Sequence, residues 1–247
     1  MASAPLYRTL YVLVNALFSI YRWLVNVLQE IGGVFLDICH EFGPSPSRKC
    51  QENGEVLMNK IPKHITVLLG NEQPSFKDLA NIILWCIGNQ ILFLSFYDHK
   101  GTLKKHQDKF EETITKTLPP NNHVIWHNSP SSTYKNGFIG QKIHVKLLSR
   151  ENGKQAIVQV ARNLSKSTIN QSDISIESIG KALQKDFNFP DPDLAINFGE
   201  YLNLQGYPPW QIRVTEFLSI KSHRRLRYRT FLEQLYVYGN CEQRFGK

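Results

Sequence analysis

Two short acidic segments of the chain have residue types suited to proton transfer or metal binding. Asp98 is followed directly by His99, and a carboxylate beside an imidazole can take part in acid–base chemistry. Neighbouring side chains point in different directions, however, which favours Asp98 as a cap for the helix expected from Thr102. Asp191 and Asp193 flank a proline and could bind a divalent cation, although this pattern is more typical of a turn leading into a strand.

The last residues of the chain, and a basic segment before them, have the chemistry of anion-binding sites. An arginine fork such as that of Arg244 binds phosphate or diphosphate bidentately. Gly246 would let a backbone N–H approach the same oxyanion. By composition alone, these residues also fit a frayed basic tail. The segment from His223 to Arg229 fits a solvated surface, or a site for lipid headgroups or nucleic acid.

These side chains are expected to be positioned by a sheet of buried strands. The predicted strands are Ile65–Leu69, Gln90–Tyr97, His123–Trp126, Lys142–Leu148, Ala156–Leu164 and Leu194–Phe198. Helical patterns cover Phe76–Gly88, residues 102–117, Ile174–Lys185 and Phe231–Tyr238. The alternation predicts an α/β fold with a mostly parallel central sheet flanked by helices. Ligands of such sheets bind at the carboxyl ends of the strands, where Asp98, His99 and the loop after Phe198 are expected.

The N-terminal segment differs from the rest of the chain. It is strongly apolar from Leu6 to Ile38, and its polar residues recur at helical spacing on one narrow face. Arg22, near the middle of this run, would cost about 2.5–3.5 kcal/mol in a simple span. We therefore expect a membrane-associated helix over residues 1–40, with spanning and interfacial geometries both open. A proline-containing linker is expected over residues 41–60, a domain over 61–239 and a tail over 240–247.

Composition excludes several classes of protein. The 247 residues are 42% hydrophobic and 20% charged, which is ordinary globular usage and argues against a disordered, collagenous or coiled-coil chain. The net charge of +8 favours anionic partners. The four cysteines are widely spaced, which argues against a disulfide scaffold or structural zinc and is typical of reduced thiols. No nucleotide-binding glycine loop, GxSxG elbow or HExxH motif is present in the sequence.

Several short motifs, taken in order, resemble those of the cis-prenyltransferase family. The resemblance covers about residues 61–247 and is carried by Pro62–His64, Ser95–His99, Asp191–Leu194, Trp210–Gln211, Thr215–Phe217 and Arg244–Gly246. Each motif alone is weak, but their order and spacing together are specific. The turn Tyr97–Gly101, the segment from Trp210 to Glu216 and the ending Glu242–Lys247 are similar to the non-catalytic, Nogo-B receptor-type subunits of this family.

The chain departs from catalytic members where they bind magnesium and diphosphate. Those members carry Asp-Gly-Asn-Arg after the first strand, whereas this chain reads Leu68–Glu72, with an apolar residue in place of the magnesium-binding aspartate. Two diphosphate-binding arginines of catalytic members fall on Asn197 and Asn203. A site without these groups has little to neutralise a pyrophosphate leaving group, so the isolated chain is expected to be inactive.

The resemblance implies an accessory subunit of the dehydrodolichyl diphosphate synthase complex. A catalytic partner would bind Mg²⁺ and add isopentenyl units to farnesyl diphosphate, giving the dolichol precursor for protein glycosylation. In this family the C-terminal Arg-x-Gly reaches into the partner's active site, which assigns isopentenyl diphosphate binding to Arg244 and Gly246. The implied location is the endoplasmic reticulum membrane, with the domain on the cytosolic face.

Three other functions stay open at this stage. A self-sufficient prenyltransferase would need Glu72 or Asp98 as a magnesium ligand. A membrane-anchored receptor or binding protein would have no role in synthesis. A nucleic-acid binder would use residues 221–229, but no known nucleic-acid-binding module is present, so nucleic acid is not expected as a partner.

Overall fold

The computed structural model describes residues 11, 13–21, 24, 60–127, 140–166 and 174–242. The chain divides into one unit over residues 1–56 and a second over residues 57–247. In the first unit the described residues are helical and carry exposed apolar side chains, such as Tyr11 and Leu17. Within the described ranges, no helix has the length and apolar character needed to cross a membrane. Most of the predicted membrane segment and of the linker lies outside them.

Six strands form one sheet in the second unit, and every pairing among them is parallel. The strands are β1 His64–Leu68, β2 Phe93–Tyr97, β3 Asn122–Trp126, β4 Gln141–Leu148, β5 Leu194–Phe198 and β6 Glu216–Ile220. Their order across the sheet is β3-β4-β2-β1-β5-β6. The predicted α/β class and parallel sheet are confirmed.

Six α-helices accompany these strands in the described part of the second unit. They are α1 Phe76–Gly88, α2 Thr102–Lys105, α3 Gln107–Thr117, α4 Lys154–Lys166, α5 Ile176–Phe187 and α6 Tyr228–Asn240. A short 3₁₀ turn, Arg150–Asn152, precedes α4. In α1, the buried residues Leu79, Ile83 and Cys86 recur at helical spacing, and Asp78 lies in the first turn, where the helix dipole favours an acid.

The predicted strand Ala156–Leu164 is wrong, because these residues belong to α4. The inward-facing residues Ile157, Val160 and Leu164 follow one another at spacings of three and four, which is helical, whereas a strand would bury Val158 and Arg162 together with Val160 and both are exposed. Strand β6 was not predicted, because its side chains are only partly buried and give no continuous apolar signal. The helix predicted over residues 102–117 is divided at His106 into α2 and α3.

The sheet has two faces with different character. Alternate strand residues, among them Val67 and Phe96, form the main core with side chains from α1, α3 and α6. The other set, including Leu68 and Tyr97, packs against Phe187 at the end of α5 and against Phe189 and Tyr207 in loops. The carboxyl ends of β1, β2 and β5 lie next to one another between these two layers. This carboxyl edge is the expected place for a ligand.

Candidate functional site

The carboxyl edge is apolar at the position where the resemblance predicts the magnesium-binding aspartate of catalytic members. Leu69 precedes Gly70 and Asn71 and has 0% of its surface exposed. Its backbone N–H donates to Tyr97 O at 3.1 Å, and its side chain belongs to the main core. The apolar residue predicted at this point is therefore a core residue, and it offers a metal ion no oxygen.

Glu72, one of the two alternative magnesium ligands, is occupied by contacts within the chain. Its Oε2 accepts hydrogen bonds from Ser222 Oγ at 2.9 Å and from the His223 N–H at 3.3 Å. The same oxygen lies 2.7 Å from Nδ1 of the buried His223 ring, whose Nε2 accepts the Ser75 N–H. Burial raises the pKa of Glu72, but the hydrogen bonds from His223 and Ser222 outweigh it, and the pKa falls below its usual range. Glu72 thus ties the end of β1 to the segment after β6.

Asp98, the other alternative ligand, caps a helix as the sequence suggested. Its Oδ2 accepts the N–H of Leu103 at 3.0 Å, in the first turn of α2, and its Oδ1 accepts the N–H of Lys100 at 2.9 Å. Both carboxylate oxygens are therefore bound to backbone donors that would otherwise lack partners. No hydrogen bond joins Asp98 to His99, and the structure does not bring them together as an acid–base pair.

The Asp191–Asp193 turn also has the structural role favoured by its pattern. Asp193 Oδ2 accepts the backbone N–H groups of Lys63 at 2.7 Å and His64 at 3.1 Å. These bonds fix the start of β1 beside the start of β5, at the amino ends of the strands. The turn therefore lies at the edge of the sheet opposite to the one where Asp98 ends β2.

The two asparagines at the positions where the resemblance predicts diphosphate-binding arginines hold the loop after β5. Asn197 is buried and donates from Nδ2 to Tyr201 O at 3.1 Å. Asn203 Oδ1 accepts the Gln205 N–H at 2.9 Å. Neither residue presents a cation to the carboxyl edge, so an anion there would lack the arginine forks of the catalytic members.

The residues at this edge do not fit a Mg²⁺ ion. Magnesium requires oxygen ligands in near-octahedral arrangement, commonly with one or two carboxylates. Leu69 supplies none, Glu72 Oε2 accepts hydrogen bonds from Ser222 and His223, and both Asp98 oxygens accept backbone N–H groups. Across residues 60–127, 140–166 and 174–242, no cluster of three or more His, Cys, Asp or Glu side chains could hold a metal.

Gly70 is required where the chain leaves β1. Its φ is +61°, and a Cβ at this position would lie 2.3 Å from the carbonyl oxygen of Phe198. We expect Gly70→Ala to lower the free energy of unfolding by about 2 kcal/mol or more, from left-handed strain and the contact with rigid backbone.

Urea unfolding of Gly70→Ala beside Gly88→Ala measures this effect. Gly88 ends α1 and has open space around it, so its replacement should be neutral or stabilising by up to about 1 kcal/mol. Equal free energies of unfolding for the two variants would contradict this expectation, because they would show that the backbone at Gly70 and Phe198 separates without cost to admit a Cβ.

A second polar region, which the sequence patterns did not predict, lies on the face of the sheet that packs against Phe187. His64 Nδ1 donates to Pro190 O at 2.7 Å, and its Nε2 accepts the Ser95 hydroxyl at 2.9 Å. Burial lowers the pKa of His64 to about 3. Lys146 is 8% exposed and donates to Phe187 O, and burial lowers its pKa to about 8. Strand alternation, which places His64, Ser95 and Lys146 on one face, was the available signal.

An open groove of about 380 Å³ adjoins this region. Phe93, His127, His144 and Phe189 contribute its rings, and Gln184 contributes an amide. His127 Nε2 lies 2.8 Å from His144 Nδ1, and burial lowers the pKa of both imidazoles. The groove contains no carboxylate and lies on the β3–β4 side of the sheet, away from the end of β1.

The C-terminal tail begins at the amino edge of the sheet. At the end of α6, Cys241 O accepts a hydrogen bond from Lys60 Nζ at 2.7 Å. Lys60 lies four residues before the start of β1. Tyr238 lies in the last turn of α6, and its pKa is raised to about 12 by burial and by the charges of Asp193 and Glu216. Asp193 directly precedes β5 and Glu216 begins β6, so Tyr238 is also near the amino edge. Arg244 and Gly246 lie outside the described residues, so their assignment to diphosphate binding stays a prediction.

Comparison with known proteins identifies relatives along most of the chain, although no family model matches it. The chain is 33% identical over 204 residues to "Dehydrodolichyl diphosphate synthase complex subunit Nus1" of Mus musculus, covering 77% of this chain and 67% of that protein. It is 33% identical over 205 residues to the subunit of the same name from Schizosaccharomyces pombe, covering 76% of this chain and 78% of that protein.

Solved structures show the same fold at low sequence identity. Lavandulyl diphosphate synthase from Lavandula x intermedia superposes with a TM-score of 0.58 at 16% identity, covering 76% of this chain and 99% of that one. A probable undecaprenyl diphosphate synthase from Campylobacter jejuni superposes with a TM-score of 0.50 at 18% identity, covering 77% of this chain and 100% of that one. With its parallel sheet and these relatives, the chain belongs to the Nus1 family of dehydrodolichyl diphosphate synthase complex subunits, within the cis-prenyltransferase fold.

Proposed function

We propose that this chain is the accessory subunit of a dehydrodolichyl diphosphate synthase and completes the active site of a catalytic partner. The partner binds Mg²⁺ and joins isopentenyl units to farnesyl diphosphate, and the product is the long polyprenyl diphosphate used to make dolichol for protein glycosylation. The relatives named as subunits of this complex support the assignment. The isolated chain is inactive in this proposal.

The observation that carries the proposal is the carboxyl edge of the sheet, where the side chains at the expected metal and diphosphate positions have structural roles. A prenyl transfer of this kind needs a metal or cationic groups to stabilise the departing pyrophosphate. Here Leu69 is part of the core, Glu72 and Asp98 accept hydrogen bonds from within the chain, and two asparagines secure a loop. The chain keeps the fold of a synthase while its own residues at the reacting edge have structural roles.

The place where the tail begins supports a role in the partner's site. Cys241 lies against Lys60 at the amino edge of the sheet, whereas Gly70 lies at the carboxyl edge. The five residues of β1 alone span about 17 Å. Arg244 follows Cys241 by three residues, a reach of at most about 11 Å between Cα atoms. The tail thus starts at the amino edge, and in this proposal Arg244 extends from there into a neighbouring subunit.

Exposed apolar side chains supply a surface on which a partner can dock. Ile176, at the start of α5, is 81% exposed, and Tyr201, in the loop after β5, is 82% exposed. The loop after β5 also reaches α5, where the Trp210 indole lies next to Gly180. In this proposal, these exposed side chains are buried when the partner binds.

The N-terminal segment is assigned to the membrane in this proposal. Its described helical residues expose Tyr11, Leu17 and Phe18, which suits burial in the acyl and headgroup boundary. The proposed location is the endoplasmic reticulum membrane with the domain on the cytosolic face. A product as apolar as a polyprenyl chain gains from synthesis beside the bilayer that receives it.

The test is incorporation of labelled isopentenyl diphosphate into polyprenyl diphosphate, with farnesyl diphosphate and Mg²⁺ in lipid vesicles. We expect no product from this chain alone and about 100-fold more product from the pair than from the catalytic partner alone. Activity of the chain alone would contradict the loss of its metal site. A pair no more active than the partner alone would favour the receptor function without a role in synthesis.

A further inference from the structure

We propose that Lys60 positions the C-terminal tail for its role in the partner's active site. The inference rests on the proposed function, since it concerns the direction in which Arg244 and Gly246 leave the domain. It is carried by contacts among Lys60, Tyr238 and Cys241, all of which belong to the described part of the second unit.

The Lys60 ammonium group makes two contacts at the end of α6. Nζ donates a hydrogen bond to the carbonyl oxygen of Cys241 at 2.7 Å. It also lies 4.5 Å from the centre of the Tyr238 ring, within the range of a cation–π interaction. Tyr238 is buried, so the ring offers a fixed platform. A single cation therefore contacts both the last turn of the helix and the first peptide beyond it.

The end of α6 has no cation of its own. Its last turn contains no basic residue, although the final carbonyl groups of a helix lack intrahelical partners and favour positive charge. The chain leaves the helix at Cys241 in an extended conformation, with φ −73° and ψ 126°. Lys60, 181 residues earlier in the chain, supplies the missing cation. Its bond orients the Cys241 carbonyl, and with it the peptide that leads to Arg244.

Lys60 can act in this way because its own backbone lies beside a fixed segment. Asp193 accepts the N–H groups of Lys63 and His64 through one carboxylate oxygen. Lys63 O in turn accepts the N–H of Phe93 at 3.0 Å. The residues that lead into β1 are thus bound to both neighbouring strands. The backbone from which the Lys60 side chain extends is therefore held close to the sheet.

The experiment compares Lys60→Met and Lys60→Arg in the assembled complex. Methionine keeps the apolar stem and removes the charge and its donors, so the tail should lose its direction. We expect kcat/KM for isopentenyl diphosphate to fall about 5- to 10-fold, which is less than the loss of about 100-fold that a fixed misplacement of about 1 Å can cause. Lys60→Arg should recover most of the loss, and KM for farnesyl diphosphate should stay unchanged.

Lys104→Met is the matched control. Lys104 is also partly buried and donates from Nζ to a neutral oxygen, Asn152 Oδ1, at 2.7 Å. It lies on α2, which follows the carboxyl end of β2, at the edge of the sheet opposite to the contact between Lys60 and Cys241. Its replacement should leave kcat/KM for isopentenyl diphosphate within about twofold of the wild type.

A double-mutant cycle with Arg244→Ala separates positioning from general stabilisation. If Lys60 acts through the tail, Lys60→Met should change activity less than about twofold once Arg244 is absent. An equal loss in both backgrounds, or dissociation of the complex by Lys60→Met, would overturn the inference. If Arg244→Ala lowers activity and Lys60→Met does not, only the role of Lys60 fails. If Arg244→Ala has no effect, the proposed role of the tail fails, and that of Lys60 with it.

Discussion

Replacement of Arg244 by alanine should lower synthesis of polyprenyl diphosphate by the complex about 100-fold, without separating the subunits. A guanidinium that binds a diphosphate in a closed site supplies charge-assisted hydrogen bonds, and loss of one such group from an anion-stabilising site typically reduces rate by 100-fold or more. The loss should appear in kcat/KM for isopentenyl diphosphate, measured with saturating farnesyl diphosphate. Arg244→Lys should recover only part, since an ammonium cannot bind two oxygens in the same plane.

Arg229→Ala provides the control for a general loss of positive charge. Arg229 is on the surface of α6 and pairs with Glu233 one turn along the same helix. Exposed pairs of this kind contribute little to stability, so the variant should retain wild-type activity. Equal losses in the Arg229 and Arg244 variants would contradict a specific contact between the tail and a diphosphate.

Acidification should destabilise the domain through His64. The pKa of this buried imidazole is about 3 in the folded chain, against about 6.5 in an unfolded one. The unfolded state therefore binds the proton more tightly, and the contribution of His64 to stability is present above pH 6.5 and lost as the pH falls toward 3. Between pH 7 and pH 5 this loss is about 2 kcal/mol. The lowered pKa values of His127 and His144 act in the same direction.

Urea unfolding of the full chain in detergent at pH 7, 6 and 5 measures this loss. His64→Asn keeps a donor toward Pro190 O but does not titrate, so its stability should fall less steeply with pH than that of the wild type. Lys116→Gln, which alters an exposed ion pair with Glu112, should leave the slope unchanged. Parallel curves for the wild type and His64→Asn would show that another group governs the acid transition.

The sheet was largely predictable because its central strands are buried on both faces. Ile65, Leu94 and Ile196 belong to continuous apolar runs, which parallel strands between helical layers require. The exceptions lie where that signal fails. Val160 belongs to a helix with one buried position, and its β-branched neighbours suggested a strand. Glu216–Ile220 pairs with β5 at the edge of the sheet, where partial exposure leaves a mixed sequence.

At the candidate site, local roles were predictable and distant contacts were not. The cap formed by Asp98 involves a helix only a few residues away, and the pattern around it indicated this role. The bonds between Glu72 and the Ser222–His223 segment join residues about 150 positions apart. The contact between Lys60 and Cys241 spans 181 positions. Sequence periodicity describes neighbours in the chain, so such pairs emerge only once the sheet has folded.

The contact between Lys60 and Cys241 also affects how a mechanical force would be distributed in the domain. The chain from the N-terminal segment reaches the sheet through Lys60, and the tail departs one hydrogen bond away. A force applied to the chain before Lys60 would therefore act on the base of the tail through this hydrogen bond, as well as on β1 through the backbone. The start of the sheet and the base of the tail are in this way mechanically coupled.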